Sequence, residues 1–379
     1  MKVAIVRGKF LNKYEMQFFE PLARKFDMTA FGSLTSYHDR FAFPVVKLPS
    51  PMDIPDFPYK MPVLNRIFID AHYLAGLEGK LKGFDLVHTA ETYFRYTQQC
   101  LDAKKKGYVK KVIATVLENI PFNNEGIWGR KAYKARARRE LDHIIALTKK
   151  TKAALILEGA DPDKITVISH FIDTKSFYPL KETLERRNDL HRKKLMILFT
   201  GRFEWYKGVF DLVEAANKLV HDPALKVYLL TFIFVGNGSE RVKLAGQISR
   251  YSLERHVVFK HVPYSEMNAV YNEADIFIAP SKPTPTYEEQ YCTALLEAQA
   301  ASLPIVTTRS GGIPENIGDA GIVVEPGDVS AIATALKSFI LSPKKRLEYG
   351  ARARQRAETV HDARLGAKKL AALYTSVMR

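Results

Sequence analysis

The chain has 379 residues, 46% apolar and 26% charged side chains, and a formal net charge of +16. That length exceeds one ordinary core, so two domains are expected, and the apolar content excludes a disordered chain. The two cysteines, Cys100 and Cys292, are too few for a disulfide framework or a zinc site.

The opening "MKVAIVRG" enters a strand pattern directly, without a basic-then-apolar leader. The longest apolar run, "VYLLTFIFVG" from Val227, is about half the ~20 residues a membrane span needs. A cytoplasmic protein is therefore expected. In the first half, strands are predicted at 2–6, 85–90, 111–116, 143–148 and 165–169, separated by helical patterns such as Asn65 to Leu81. Residues 104–152 hold 14 basic against 4 acidic side chains, with Tyr108, Trp128 and Tyr133 among them. A field of that sign attracts anions, so an anionic membrane surface is a candidate partner and a solvated basic face is the alternative. The segment has no aromatic-basic RNA signature and no recognition-helix motif, so nucleic acid is not an expected partner.

In the second half, strands are predicted at 195–201, 230–236, 257–262, 276–281, 304–308 and 321–326, and from Pro343 onward the pattern is helical only. Near-continuous Val/Ile/Leu/Phe runs belong to parallel strands covered on both faces, and strand–helix alternation implies doubly wound α/β units. Two such units, joined near "FYPLKETLERRNDLHRKK", give two Rossmann-like domains facing across a cleft. The expected division is 1–178, 179–355, and a C-terminal helix at 356–379 that packs back on the first domain.

Ligands of open parallel sheets bind beyond the carboxyl ends of the strands. After 195–200 comes "GRFEWYKG". Gly201 permits a tight exit, and Arg202 and Lys207 stand beside a helix start, an arrangement suited to a diphosphate. After 230–235 comes "GNGSER", where Gly236 and Gly238 allow close backbone approach; Arg241 occupies the place of the third glycine of a dinucleotide fingerprint. After 276–280 comes "SKPTPTYEEQYCTALLEAQAA", with a proline-rich loop, Glu289, and a helix predicted from about Tyr291. Glu297 lies inside that helix among Leu295, Leu296 and Ala298, where an unpartnered carboxylate is costly. After 304–308, "RSGGIPENIG" offers another glycine-permitted loop.

Taken in order, "GRFEWYKG", "VGNGSE", "IAPS…EEQYCTALLEAQAASLPIVTTRSGGIPENI" and "GIVVEPGD" resemble the successive signatures of the GT4 group of retaining glycosyltransferases. The resemblance is dense from about 195 to 330 and sparse before 165. It implies the GT-B fold and a nucleotide-sugar as co-substrate, with no cofactor and no metal. By the same resemblance Arg202 and Lys207 hold the donor diphosphate, Glu289 lies beside the donor sugar, and Glu297 grips the ribose. Backbone amides of Gln290, Tyr291, Cys292 and Thr293 are implied to meet sugar and phosphate, and main-chain groups around His261 and Val262 the base.

The chain also departs from the family pattern. Gln290-Tyr291-Cys292 stands where a Gly-Phe-Gly-like stretch is usual, and Gly8 with Lys9 replaces an N-terminal glycine pair. Where many members carry a histidine, "VLENIPF" offers Glu118 or Asn119 to the sugar. Cys292 near a helix start reads either as a thiol of lowered pKa or as a small space-filler. His88 reads as packed and hydrogen-bonded, and "DPD" at 161–163 as a turn, not a metal motif. The expected acceptor is a glycan or lipid-linked acceptor docking on the first domain, with the protein peripheral on the membrane's inner face. A non-catalytic nucleotide-sugar-binding protein is the alternative.

Overall fold

Short apolar runs alternating with helices build two parallel sheets, one in each half of the chain. The computed structural model describes residues 1–379 and divides into two units, residues 1–171 with 363–379 and residues 172–362. The changeovers therefore fall seven residues away from the expected 178/179 and 355/356. Hydrogen bonding explains the shift: Ile172 N donates to His361 O (2.8 Å) and Thr174 Oγ1 to Asp362 Oδ2 (2.5 Å), which ties both segments into the second unit.

The first unit contains β1 (Lys2–Gly8), β2 (Asp27–Ser33), β3 (Val45–Leu48), β4 (Phe84–Ala90), β5 (Val109–Val116), β6 (His143–Ala146) and β7 (Ile165–Val167). They form a seven-stranded sheet in the order β3-β2-β1-β4-β5-β6-β7. The sequence pattern predicts five of these strands and misses β2 and β3. "DMTAFGS" mixes Asp, Thr, Gly and Ser with its apolar residues, and only its register on β1, from Lys2↔Asp27 to Val6↔Phe31, makes it a strand. The helix predicted from Asn65 to Leu81 is also corrected. A helix runs Lys60–Phe68 and a single turn Leu77–Lys80. Between them Ile69 takes φ +64, and the buried Asp70 carboxylate accepts from the N–H groups of His72 and Arg95, which turns the chain out of the helix.

The last helix, Ala363–Val377, buries Leu370 and Tyr374 against the Val3, Ile5, Leu86 and Ile113 side of this sheet. His88 lies there, fully buried, between Tyr374 Oη and Thr115 Oγ1 at 2.7 Å each, so it is a packed core histidine. Asp161 caps a 3-10 turn by accepting from Asp163 N (3.0 Å), as expected of a turn.

The second unit contains β8 (Lys194–Thr200), β9 (Leu229–Val235), β10 (Val257–Lys260), β11 (Ile276–Ala279), β12 (Ile305–Thr308) and β13 (Ile322–Val324), all predicted. Their order is β10-β9-β8-β11-β12-β13. Both sheets reverse winding direction once, between β1 and β4 in the first and between β8 and β11 in the second. Crevices open at such switch points, so these two places are where ligands are expected.

Candidate active site

At the β8/β11 switch point the two strand exits interlock. Gly208 takes φ +72, and a Cβ there would lie 2.0 Å from Pro280 O, so only glycine lets the turn Trp205–Lys207 sit against the β11 exit. That contact delivers Lys207 to Glu289. The Lys207 Nζ donates to Glu289 Oε1 at 2.5 Å, and Ser281 Oγ donates to the same oxygen at 2.6 Å. The Glu289 backbone is pinned as well: its carbonyl accepts from Gly312 N (2.7 Å), and its N–H donates to Ser310 Oγ (3.4 Å). The glycine loop after β12 thus serves to hold Glu289. Burial pushes the Glu289 carboxyl up, but the Lys207 charge and the donated hydrogen bonds outweigh it and hold the group below its ordinary range. Burial likewise opposes the charge of Lys207, and the Glu289 carboxylate overrides it and raises the ammonium. The pair is a buried, ionised couple.

Glu297 has hydroxyl partners instead of a cation. It lies one turn into the helix Thr293–Ala300, which starts two residues later than predicted. Tyr264 Oη donates to Glu297 Oε1 at 2.9 Å and Tyr271 Oη to Oε2 at 2.7 Å. Burial pushes this carboxyl up to about 7, and the two phenols pull only weakly the other way. Tyr271 Oη also lies 3.0 Å from Thr200 Oγ1 at the end of β8, so Glu297 is tethered to the strand exit that leads to Arg202 and Lys207. The half-buried Cys292 thiol lies within reach of the charges of Glu289, Lys207 and Glu297.

The other predicted residues divide into three groups. Arg202 is exposed, with its guanidinium 5.9 Å over the Tyr206 ring. Gly236 and His261 line a hollow of about 450 Å³ with Asn237, Arg241, Phe259 and Lys260, and the Arg241 guanidinium lies 3.7 Å over Phe259. Val262 follows, half-buried. At Gly236 a Cβ would lie 2.0 Å from Gly201 O, and at Gly238 one would lie 2.4 Å from Phe203 O. What approaches these glycines is therefore the chain's own β8 exit loop. Gln290 is exposed, Tyr291 buried, and Thr293 begins the helix. Asn316 Nδ2 donates to the carbonyls of Tyr291 (2.5 Å) and Cys292 (3.2 Å), fixing the turn. Cys292 takes φ +56, and burial, reinforced by Glu289, raises its thiol pKa; the lowered-pKa reading is corrected.

In the first unit, Gly8 ends β1 with φ +54, and Lys9 Nζ donates to Thr35 Oγ1 (2.7 Å). Glu118 accepts from Ile120 N (2.9 Å) and Asn123 Nδ2 (2.7 Å), and Asn119 is buried. The sequence reading missed Glu91, which follows β4 in a left-handed conformation (φ +58) and accepts on Oε1 from Leu117 N (2.8 Å) and Glu118 N (3.2 Å). Tyr264, Tyr271 and Tyr287 were missed too. The first two stand 33 and 26 residues from Glu297, a separation without local pattern. Tyr287 lies under Lys207, whose Nζ is 5.2 Å from the ring centroid.

Two family descriptions match this chain: "Glycosyl transferases group 1" over residues 181–356 and "Glycosyltransferase Family 4" over residues 23–176. The chain belongs to the GT4-type glycosyltransferases. Among relatives of this GT4-type chain, a D-inositol 3-phosphate glycosyltransferase of Thermomonospora curvata is 29% identical over 240 residues, 58% of this chain and 53% of that protein. A glycogen synthase of Mycobacterium tuberculosis is 28% identical over 247 residues, 64% of this chain and 56% of that protein. The chain thus spans about half the length of these curated relatives. Among solved structures, Anabaena HepE in complex with UDP and glucose superposes with a TM-score of 0.78 at 17% identity, over 99% of this chain and 100% of that one. That likeness is one of fold, and the fold is GT-B, two Rossmann-like doubly wound units.

Proposed function

We propose that this GT4-type protein transfers a sugar from a nucleotide-sugar donor to a glycan or lipid-linked acceptor, with retention of anomeric configuration. The observation that carries the reading is the buried Lys207–Glu289 couple at the β8/β11 switch point, with Glu297 tethered to the same strand exit. Breaking the bond between a sugar and a diphosphate builds negative charge on the leaving group, and fixed cations at that point lower the barrier. Lys207, held in place by Glu289, and the exposed Arg202 supply those charges, so no metal is assigned a role. Glu297 keeps lone pairs beyond its two tyrosine donors, and ribose hydroxyls would donate to them. The hollow at Gly236, Asn237 and His261 would take the base. With Glu289 committed to Lys207 and Ser281, the reading favours front-face displacement over a covalent sugar–carboxylate intermediate. The first unit would take the acceptor, with Gly8, Lys9, Glu118 and Asn119 on the sugar side, and a lipid-linked acceptor would hold the protein at the inner face of an anionic membrane.

No helix is long and apolar enough to cross a membrane. Cys292, left-handed where family members carry glycine, favours one second reading, a protein that binds nucleotide-sugars without turnover. Thermal shift across UDP-, GDP- and ADP-sugars tests both, because a ligand specific to the folded state raises Tm. One donor class is expected to raise Tm, and Glu297→Ala is expected to lose most of that shift. Absence of any shift sinks both readings; a shift without release of nucleoside diphosphate, with acceptor or water, leaves only the second.

A further inference from the structure

The helix Lys60–Phe68 is turned inside out. Its inward face is Leu64 and the Lys60 stem, whereas Val63 and Ile67, one turn apart, face solvent with Phe68. Tyr59, just before the helix, is 80% exposed and Ile67 is 65% exposed. Solvent-facing helix faces are normally polar, and clustered apolar exposure of this kind marks a docking surface. A second element joins it. Arg130 Nη2 donates to Asp70 Oδ1 at 2.9 Å, and a Cβ at Gly129 would lie 2.7 Å from Ile69 Cγ2, so the 128–130 loop rests against the chain leaving this helix. That loop carries Trp128, 72% exposed.

The sequence around this ridge is predominantly basic. Residues 57–69 and 126–136 contain no Asp or Glu, and neighbouring Asp56 is paired with Lys60 at 3.0 Å. Arg66 on the helix and Lys131 after the tryptophan loop are exposed. Three cations of the basic segment turn inward: Arg130 meets Asp70, while Lys134 (2.6 Å) and Arg138 (2.9 Å) both meet Glu158. The charge surplus of residues 104–152 is therefore a weaker outward field than its composition suggests, and the apolar ridge needs its own partner.

We infer that Tyr59, Val63, Ile67, Phe68 and Trp128 form a docking ridge for the surface of an anionic lipid bilayer. The apolar side chains enter the headgroup–acyl boundary, where tryptophan and tyrosine are favoured, and Arg66 and Lys131 meet lipid phosphates. The inference deepens the proposed lipid-linked acceptor by naming the surface that brings the protein to it, yet its test reads no glycosyl transfer.

The test is co-flotation of the full chain with vesicles of phosphatidylcholine alone or mixed with phosphatidylglycerol. Binding to the mixed vesicles is expected, falling with salt, and Ile67→Glu and Trp128→Ser should each weaken it about tenfold or more. Val242→Glu, which changes an equally exposed apolar residue of the second unit, should leave it unchanged. Unaltered thermal unfolding of Ile67→Glu and Trp128→Ser, both surface changes, shows that the ridge and not the fold was removed. No binding to the mixed vesicles at low salt overturns the inference, as does equal weakening by Val242→Glu. A dimer that Ile67→Glu converts to monomer overturns it too, by assigning the ridge to a second copy of the chain. A donor panel without thermal shift would sink the proposed activity and leave the vesicle result standing.

Discussion

At the β8/β11 switch point the Glu289 carboxylate has the Lys207 ammonium 2.5 Å away, whereas at the β1/β4 switch point the equally buried Glu91 has no cation of its own. Two backbone N–H groups occupy Glu91 Oε1, Oε2 has no partner, and the neighbouring Lys134 is committed to Glu158. Burial, reinforced by the Glu118 charge, pushes Glu91 up to about 8, while Glu289 is held below its ordinary range. Two buried glutamates at the two switch points are therefore pushed in opposite directions. Burial is shared and cannot account for the difference; delivery of a cation does. In the second unit Gly208 makes that delivery possible by letting the β8 exit turn touch the β11 exit.

Removing the cation should produce the largest effect. Lys207→Ala leaves Glu289 buried without its counter-charge and should cost about 3 kcal/mol, the lower end for breaking a buried pair because Lys207 is 17% exposed. Denaturant unfolding measures this, and turnover should fall far more than donor affinity. Unchanged turnover would remove Lys207 from the leaving-group role.

The complementary change is Glu91→Gln. Glu91 is raised from an ordinary 4.5 to about 8, so its contribution to stability is complete below about 4.5 and lost as pH rises through about 8. Over that window the wild-type chain should lose up to ~1.4 kcal/mol per pH unit from this group. The glutamine variant should show a flatter profile of unfolding free energy against pH. An unchanged slope would mean that Glu91 is ionised like Glu289, and the contrast between the two switch points would fail.

The smallest effect is expected at Cys292. A non-glycine residue at φ +56 is strained, so Cys292→Gly should be neutral or stabilising by at most ~1 kcal/mol. If its Cβ also limits backbone approach to the donor sugar, the same variant should tighten donor binding in the thermal-shift panel. A loss of more than 1 kcal/mol would show that the thiol's packing near Lys207 and Glu289 outweighs the backbone strain.

Much of the second unit was legible because its strands are continuous apolar runs, buried on both faces, and each ends in a short polar signature. Arg202, Lys207, Glu289 and Glu297 stand out for that reason. In the first unit β2 and β3 escaped, since pairing with β1 and not composition makes them strands. The Asn65–Leu81 pattern is apolar at helical spacing, yet Asp70 bonds to groups far along the chain and breaks it. The basic segment misleads in a similar way, because composition counts Arg130, Lys134 and Arg138 without knowing that carboxylates from residues 70 and 158 neutralise them.

By itself the sequence determined the alternation of strand and helix, the parallel architecture that follows from it, and the residue types at each strand end. These are local properties, set by periodicity and turn chemistry. Tertiary structure alone decided which carboxylate is charged. Lys207 is 82 residues from Glu289, Tyr271 is 26 from Glu297, and Lys134, whose charge reaches Glu91, is paired with Glu158. Protonation of a buried group depends on the charges and donors within a few ångströms, and folding chooses those neighbours from distant parts of the chain.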